Sequence, residues 1–184
     1  ILDPETDEPL GAGEAGMLWV KGPTVMKGYL NKPAQTAEVM RDGWYKTGDI
    51  ARIDADGFIE ITGRLSRFSK LGGEMVPHLR IEDEINLILG HDHETVCAAV
   101  TAVPDAKKGE RLVVLMLPSE KTPREITHEL ATAGLPNLWI PDVHNFYTVD
   151  EMPVLGTGKL DLKKLKDWAK EKTAQPVPTG AQVQ

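Results

Sequence analysis

The sequence predicts an α+β protein in two parts: a small β-rich piece over residues 1–63 and a compact domain over 68–172, a short sheet flanked by helices. Three observations predict this. Residues 50–64, IARIDADGFIEITGR, alternate apolar and polar side chains on two arms around Asp56-Gly57, the pattern of a β-hairpin. Residues 95–105 (TVCAAVTAVPD) and 111–118 (RLVVLMLP) are near-continuous apolar runs joined by a charged turn at Lys107-Lys108-Gly109. Runs of this kind suit strands covered on both faces. Two segments with helical periodicity, 77–90 and 122–134, bracket those strands and supply the covering layers.

Taken in order, GAGEAG (11–16) reads as a turn. It spells a dinucleotide-binding pattern, but that pattern needs a strand before it and a helix after it, and here a strand-like MLWV follows. Strand-like runs cover 16–22 and 24–30. NKPAQTAEVM (31–40) carries a helix start, with Asn31 as cap and Pro33 in the first turn. RDGWYKTGD (41–49) is turn chemistry around Trp44 and Tyr45, and the hairpin follows. This first part holds no core large enough to stand alone.

After Arg64, SRFSKLGGEMV (66–76) reads as a strand interrupted by Gly72-Gly73. PHLRIEDEINLILG (77–90) is an amphipathic helix closed by Gly90. TPREITHELATAG (122–134) starts with Thr122 as cap, Pro123 at the first position and Glu125 completing a capping box. Residues 144–153 supply another strand. The Gly156-Thr157-Gly158 turn then offers Lys159 at a loop tip, ahead of a final helix to residue 172 whose Leu160, Leu162 and Leu165 oppose Lys163, Lys164 and Lys166. The tail 173–184 is polar with Pro and Gly and is expected to be disordered.

The net charge of −7 argues against nucleic acid or an anionic membrane as the main partner. Residues 1–63 hold six basic against eleven acidic side chains, and 64–184 hold fifteen against seventeen, so the second part can present a local basic face. The single cysteine, Cys97, excludes an internal disulfide, fits a reducing compartment on the cytoplasmic side, and sits in a run that reads as core. No apolar run reaches the length of a membrane span.

Other motifs fail on spacing. GTGKL is no phosphate-binding loop: the position five before Gly158 is Pro153, and Leu160 replaces the Ser or Thr that would hold magnesium. His91, Asp92, His93 and Cys97 match no common zinc spacing, and DADGFIE (54–60) lacks the length and third acid of a calcium loop, so no metal site is expected. TGD (47–49) is different, because a carboxylate on a tight turn can accept two hydroxyl hydrogen bonds, as a ribose diol would offer. Arg64 adds a donor for the same hydroxyls.

The order GWYKTGD, GR fifteen residues on, SKLGGEMV and then PVLGTGK resembles the adenylate-forming acyl-activating superfamily of acyl- and aryl-CoA synthetases, luciferases and peptide-synthetase adenylation domains, from residue 8 to about 170. The resemblance implies that 1–63 end a large N-terminal AMP-binding domain in its β-barrel part, that 64–67 form a hinge, and that 68–172 are a mobile C-terminal domain. It implies that Asp49 and Arg64 bind the ribose of ATP or AMP, that Lys159 contacts the α-phosphate and substrate carboxylate, and that magnesium ligands lie outside these residues. The hinge position, usually Asp or Lys in the family, is Ser66 here. Gly72, Gly73 and Glu74 match the loop that lines the path of the pantetheine thiol.

A narrower resemblance rests on RFSKLGGEMVPH, the KKGERLVV turn and residues 135–168. These look like the bacterial bifunctional acyl-carrier-protein synthetase/2-acylglycerophosphoethanolamine acyltransferases. That branch implies a fatty acid substrate, the phosphopantetheine of acyl carrier protein or coenzyme A as acceptor, a role in phospholipid metabolism, and attachment of the full-length enzyme to the inner membrane. Arg67, Lys70, Lys107, Lys108 and Arg111 are then candidate contacts to an acidic carrier protein. The chain alone is expected to be inactive without its N-terminal domain. The competing expectation is a non-catalytic module that docks a carrier protein.

Overall fold

The computed structural model describes residues 1–91 and 96–174. The chain divides into two compact units, Ile1–Ser66 and one beginning at Arg67. Together they are α+β, as the sequence predicts, with a β-rich first unit and a sheet flanked by helices in the second.

In the first unit one long strand, β3 (Trp44–Ile53), organises a four-stranded antiparallel sheet. β1 (Gly16–Val20) lies along one of its edges. β2 (Met40–Arg41) and β4 (Ile59–Arg64) share the other edge, because each pairs with β3 residues that β1 also faces. The sheet is not a closed barrel. The Asp56-Gly57 hairpin forms as its pattern predicts, with Asp54 Oδ1 accepting from the Asp56 and Phe58 amides at 3.0 and 2.9 Å. Only Met17, Leu18, Ile50 and Ala51 are buried apolar side chains in this unit, so its core is small.

Three expectations change here. Residues 24–30 form no strand. The helix α1 is Pro33–Val39, but its cap is Lys32 with no side-chain bond, and Asn31 instead takes a left-handed φ of 55°. Residues 41–49 are mostly strand: the turn is confined to Asp42-Gly43, with φ of 52° and 79°, as a tight hairpin of the right twist requires. The dipeptide was visible in the sequence, but Trp44 and Tyr45 are β3 residues whose pairing to β1 only the fold supplies.

The second unit is a three-layer sandwich. β7 (Ala98–Asp105) and β8 (Gly109–Met116) form an antiparallel hairpin, and β9 (Phe146–Thr148) joins β8 in parallel. Side chains of a strand alternate between faces. Ala98, Val100, Leu112, Val114 and Met116 accordingly face Ile81 and Ile85 of α2 (His78–Ile88) and Ile126 and Leu130 of α3 (Pro123–Thr132). Ala99, Val103, Val113 and Leu115 face Leu165 and Ala169 of α4 (Leu162–Ala174). Both faces are covered, which explains the unbroken apolar runs. Cys97 is buried, as its neighbours predict.

Residues 68–77 are a hairpin and not one interrupted strand: β5 (Phe68–Leu71) pairs with β6 (Glu74–Pro77) around Gly72-Gly73. Their φ values of 56° and 93° explain the glycines, and a Cβ at either would meet nothing within 4 Å, so the requirement is conformational. The expected tail begins too early, since Thr173 and Ala174 belong to α4; 175–184 lie outside the described residues, as do Asp92 and His93. The capping box of α3 forms, Thr122 Oγ1 accepting from the Glu125 amide and Glu125 from the Thr122 amide at 2.7 Å. Thr122→Ala is expected to cost about 1 kcal/mol in urea unfolding, and a change below 0.3 would discount the cap. No helix among the described residues is long and apolar enough to cross a membrane.

Candidate functional site

Asp49 is delivered by a break in β3 and not by a free turn. Gly48 has φ of 80°, and Thr47 Oγ1 bridges it, donating to the Leu18 carbonyl at 2.9 Å and accepting from the Asp49 amide at 3.0 Å. Against β1 the three residues 47–49 face Leu18 alone, a bulge in β3 that re-aims the Asp49 side chain. Against β4 the register shifts again beside Ile50, where Thr62 is the extra residue. Asp49 lies directly across from Arg64 on β4, and its Oδ1 accepts from Arg64 Nε at 2.8 Å. The fold therefore joins two residues fifteen apart in sequence. Arg64 is the more exposed partner, with 65% of its side chain accessible against 20% for Asp49, so its remaining guanidinium donors face solvent.

Tyr45 lies within the electrostatic reach of this pair. Its phenol is held above its ordinary value, first by a hydrogen bond with the Tyr29 hydroxyl and then by burial; the Asp49 carboxylate adds to this and Arg64 opposes it. Tyr29 is a partner the sequence did not reveal, because it lies in the segment read as a strand. The resulting set of carboxylate, guanidinium and phenol can both accept from and donate to a vicinal diol.

In the second unit Lys159 stands exposed on a loop closed at its base. Leu155 donates its amide to the Lys159 carbonyl at 2.7 Å, Gly158 donates to Leu155 at 2.8 Å, and Val154 bridges Leu160. Gly158, with φ of 80°, makes that closure possible. Just beyond, Asp161 Oδ1 caps α4 by accepting from the Lys163 and Lys164 amides at 3.1 and 3.0 Å. The loop is thus fixed on both sides while the ammonium is left in solvent. This can present a cation to an anionic group.

The Gly72-Gly73 turn and Glu74 stand at the tip of the β5–β6 hairpin, and Ser66 is exposed in the single helical turn Leu65–Arg67. Of the five basic candidates, Lys107 and Lys108 are exposed on the β7–β8 turn and Lys70 is half-buried. Arg111 is half-buried and donates to Asn145 Oδ1 at 2.8 Å. Arg67 is not a surface charge at all. It is buried and ion-paired with the buried Glu82 of α2, which also accepts from the Val100 amide at 2.6 Å. Nothing in the charge pattern separates it from the exposed lysines; only the packing of α2 on β7 does.

Next to this pair, Ser69 Oγ and His78 Nε2 are 2.6 Å apart and both buried. Burial, with Arg67 and Lys166 adding to it, pushes His78 down to about 3. A serine–histidine pair sealed from solvent is structural. Among the described residues no group of three or more His, Cys, Asp or Glu could hold a metal ion.

No protein-family model matches the chain. Individual relatives do. The chain is 35% identical over 155 residues to a feruloyl-CoA synthase of an Amycolatopsis species, covering 83% of this chain and 30% of that protein. It is 34% identical over 168 residues to a long-chain-fatty-acid–CoA ligase of Bacillus subtilis, covering 90% and 29%. The crystal structure of ATP-bound MatB from Rhodopseudomonas palustris superposes with a TM-score of 0.71 at 30% identity, over 94% of this chain and 34% of that one.

The chain belongs to the AMP-binding acyl-CoA ligase superfamily. It corresponds to the C-terminal part of these ligases, and its second unit matches their small sheet-and-helix domain. It spans about 30% of the length of the curated relatives it matches.

Proposed function

We propose that this chain is the C-terminal portion of an ATP-dependent ligase that joins a fatty acid to the thiol of acyl carrier protein through an acyl adenylate, in the bifunctional synthetase/acyltransferase branch. The observation that carries the reading is the cross-strand pair of Asp49 and Arg64 at the Gly48 bulge, a donor–acceptor set shaped for a ribose diol. Residues 1–63 then end the AMP-binding domain, the hinge lies at 64–67 around Ser66, and 68–172 form the domain that moves. ATP would supply the adenylyl group, its α–β phosphoanhydride bond breaking to release pyrophosphate as the carboxylate takes the α-phosphorus, with magnesium ligands outside these residues. Lys159 neutralises charge as the substrate carboxylate approaches the α-phosphate, where two anions must meet. Gly72, Gly73 and Glu74 line the path of the thiol.

Exposed Lys107 and Lys108 suit an acidic carrier protein. Coenzyme A is the second reading, favoured by relatives named for CoA ligation. In either case the isolated chain is inactive, because the residues described here supply ribose contacts and one cation but no acyl pocket.

The test is pyrophosphate release and thioester formation by the complete enzyme that contains this chain, with carrier protein and coenzyme A supplied in separate arms. Asp49→Ala should raise the KM for ATP by about 10–100-fold, since a charge-assisted bond is worth about 1.5–3 kcal/mol. An unchanged KM sinks the ribose assignment. Thioester formed only on coenzyme A sinks the carrier-protein assignment and leaves the ligase.

A further inference from the structure

The β5–β6 hairpin has four residues in each arm, and a two-stranded hairpin of that size is marginal on its own. Leu71 and Val76 anchor it in the core shared by α2 and α3. Its tip is held by three further contacts, all from residues distant in sequence. Lys70 donates its amide to Glu110 Oε2 at 2.8 Å. Gly72 donates its amide to the Lys108 carbonyl at 3.1 Å. On the other arm, Glu74 Oε1 accepts from Trp139 Nε1 at 2.9 Å.

Glu110 and Lys108 lie at the β7–β8 turn, and that turn is itself fixed, with Asp105 Oδ1 accepting from the Lys107 and Lys108 amides at 2.9 Å each. Trp139 lies in a separate helical turn, Asn137–Trp139. The glycine pair is therefore not a floppy loop. It is a tight turn clamped from two sides by groups from separate elements.

We propose that Glu110 and Trp139 are positioning residues for the thioester-forming step: they clamp the β5–β6 hairpin so that Gly72, Gly73 and Glu74 present a fixed edge to the incoming thiol. This rests on the reading that the hairpin lines the thiol's path. Glu110 accepts from the Lys70 amide across forty residues of sequence, and a backbone amide bonded to a carboxylate is a strong restraint. Displacement of about 1 Å near a reacting group is enough to slow a reaction by up to about 10²-fold. The adenylation step, which uses Lys159 on another loop, does not depend on this clamp.

Three variants test it: Glu110→Ala, which removes the acceptor, Glu110→Gln, which keeps one, and Trp139→Phe, which removes the indole donor and keeps an aromatic ring. In the chain itself, Glu110→Ala should speed hydrogen exchange at the Lys70 and Gly72 amides about tenfold or more while β7 and β8 amides stay protected. In the complete enzyme, Glu110→Ala and Trp139→Phe should each lower kcat for thioester formation by about tenfold and leave pyrophosphate release within about twofold, with Glu110→Gln recovering most of the loss. Equal losses in both half-reactions, or none in the thioester step, overturn the proposal. If the unmodified enzyme forms no adenylate, the ligase reading fails; the exchange experiment still decides the clamp, and unchanged exchange at Lys70 overturns it.

Discussion

Lys159→Ala is expected to lower the rate of acyl-adenylate formation in the complete enzyme by about 10²–10³-fold, the usual cost of removing one group aimed at charge developing in a transition state. The ammonium is exposed, and its loop is closed by backbone bonds from Leu155 and Gly158 that do not involve the side chain. Stability should therefore stay within about 0.5 kcal/mol of the unmodified chain. Thioester formation from chemically supplied acyl adenylate should be nearly unaffected, because the proposed role confines the cation to the first half-reaction. Comparing the two half-reactions is the measurement. A variant that loses both equally, or that unfolds, would return Lys159 to the status of a structural loop residue.

Arg67→Met carries the largest expected effect on stability, about 3–5 kcal/mol at pH 8, because it leaves Glu82 buried without its cation. The loss should depend on pH in a definite direction. Burial raises Glu82 to about 7, against the pull of Arg67 and the Val100 amide, from an ordinary 4.5. A raised carboxyl contributes stability that is full below 4.5 and is lost as pH rises through 7. Without Arg67 the carboxyl moves higher still, so the deficit is greatest at high pH and shrinks toward pH 5. His78, pushed down to about 3, acts oppositely in the unmodified chain and loses stability as pH falls below 6.5. Arg67 is one cause of that depression, so its removal narrows the acid deficit further.

Urea unfolding at pH 5 and pH 8 measures this, and a deficit below 1 kcal/mol or equal at both values contradicts the buried-pair account. The double change Arg67→Met with Glu82→Gln should recover most of the loss, since Gln keeps an acceptor for Val100 and no charge is left buried. Arg67 Nη1 and Asn86 Oδ1 are buried with no hydrogen-bond partner among the described residues, a cost that the double variant relieves in part. The pair is costly to break without being a large net gain.

Both experiments turn on residues the sequence presents in the same way, as basic side chains beside loops. Lys159 was legible because glycine on either side of Thr157 demands a tight turn, and a turn ahead of an amphipathic helix puts the next side chain in solvent. Arg67 reads as a surface contact in the sequence because burial of a charge leaves no local mark: its partner is fifteen residues away and its cover is a helix packed on a sheet. The strand read at 24–30 failed for a related reason. Apolar residues there do not alternate along a paired edge, and no neighbouring strand takes up their backbone groups.

By itself the sequence determined the local and covalent facts. The Asp56-Gly57 turn, the capping box of α3, the two strands covered on both faces and the order of the adenylate-forming motifs all depend on neighbours within a few residues. Only the tertiary structure decided what meets across distance. It set Asp49 opposite Arg64 through a bulge, sealed Arg67 with Glu82, and clamped the Gly72-Gly73 tip from Glu110 and Trp139. The physical reason is that propensity and turn chemistry act along the chain, while register, burial and ion pairing are settled only when separate segments compete for the same space.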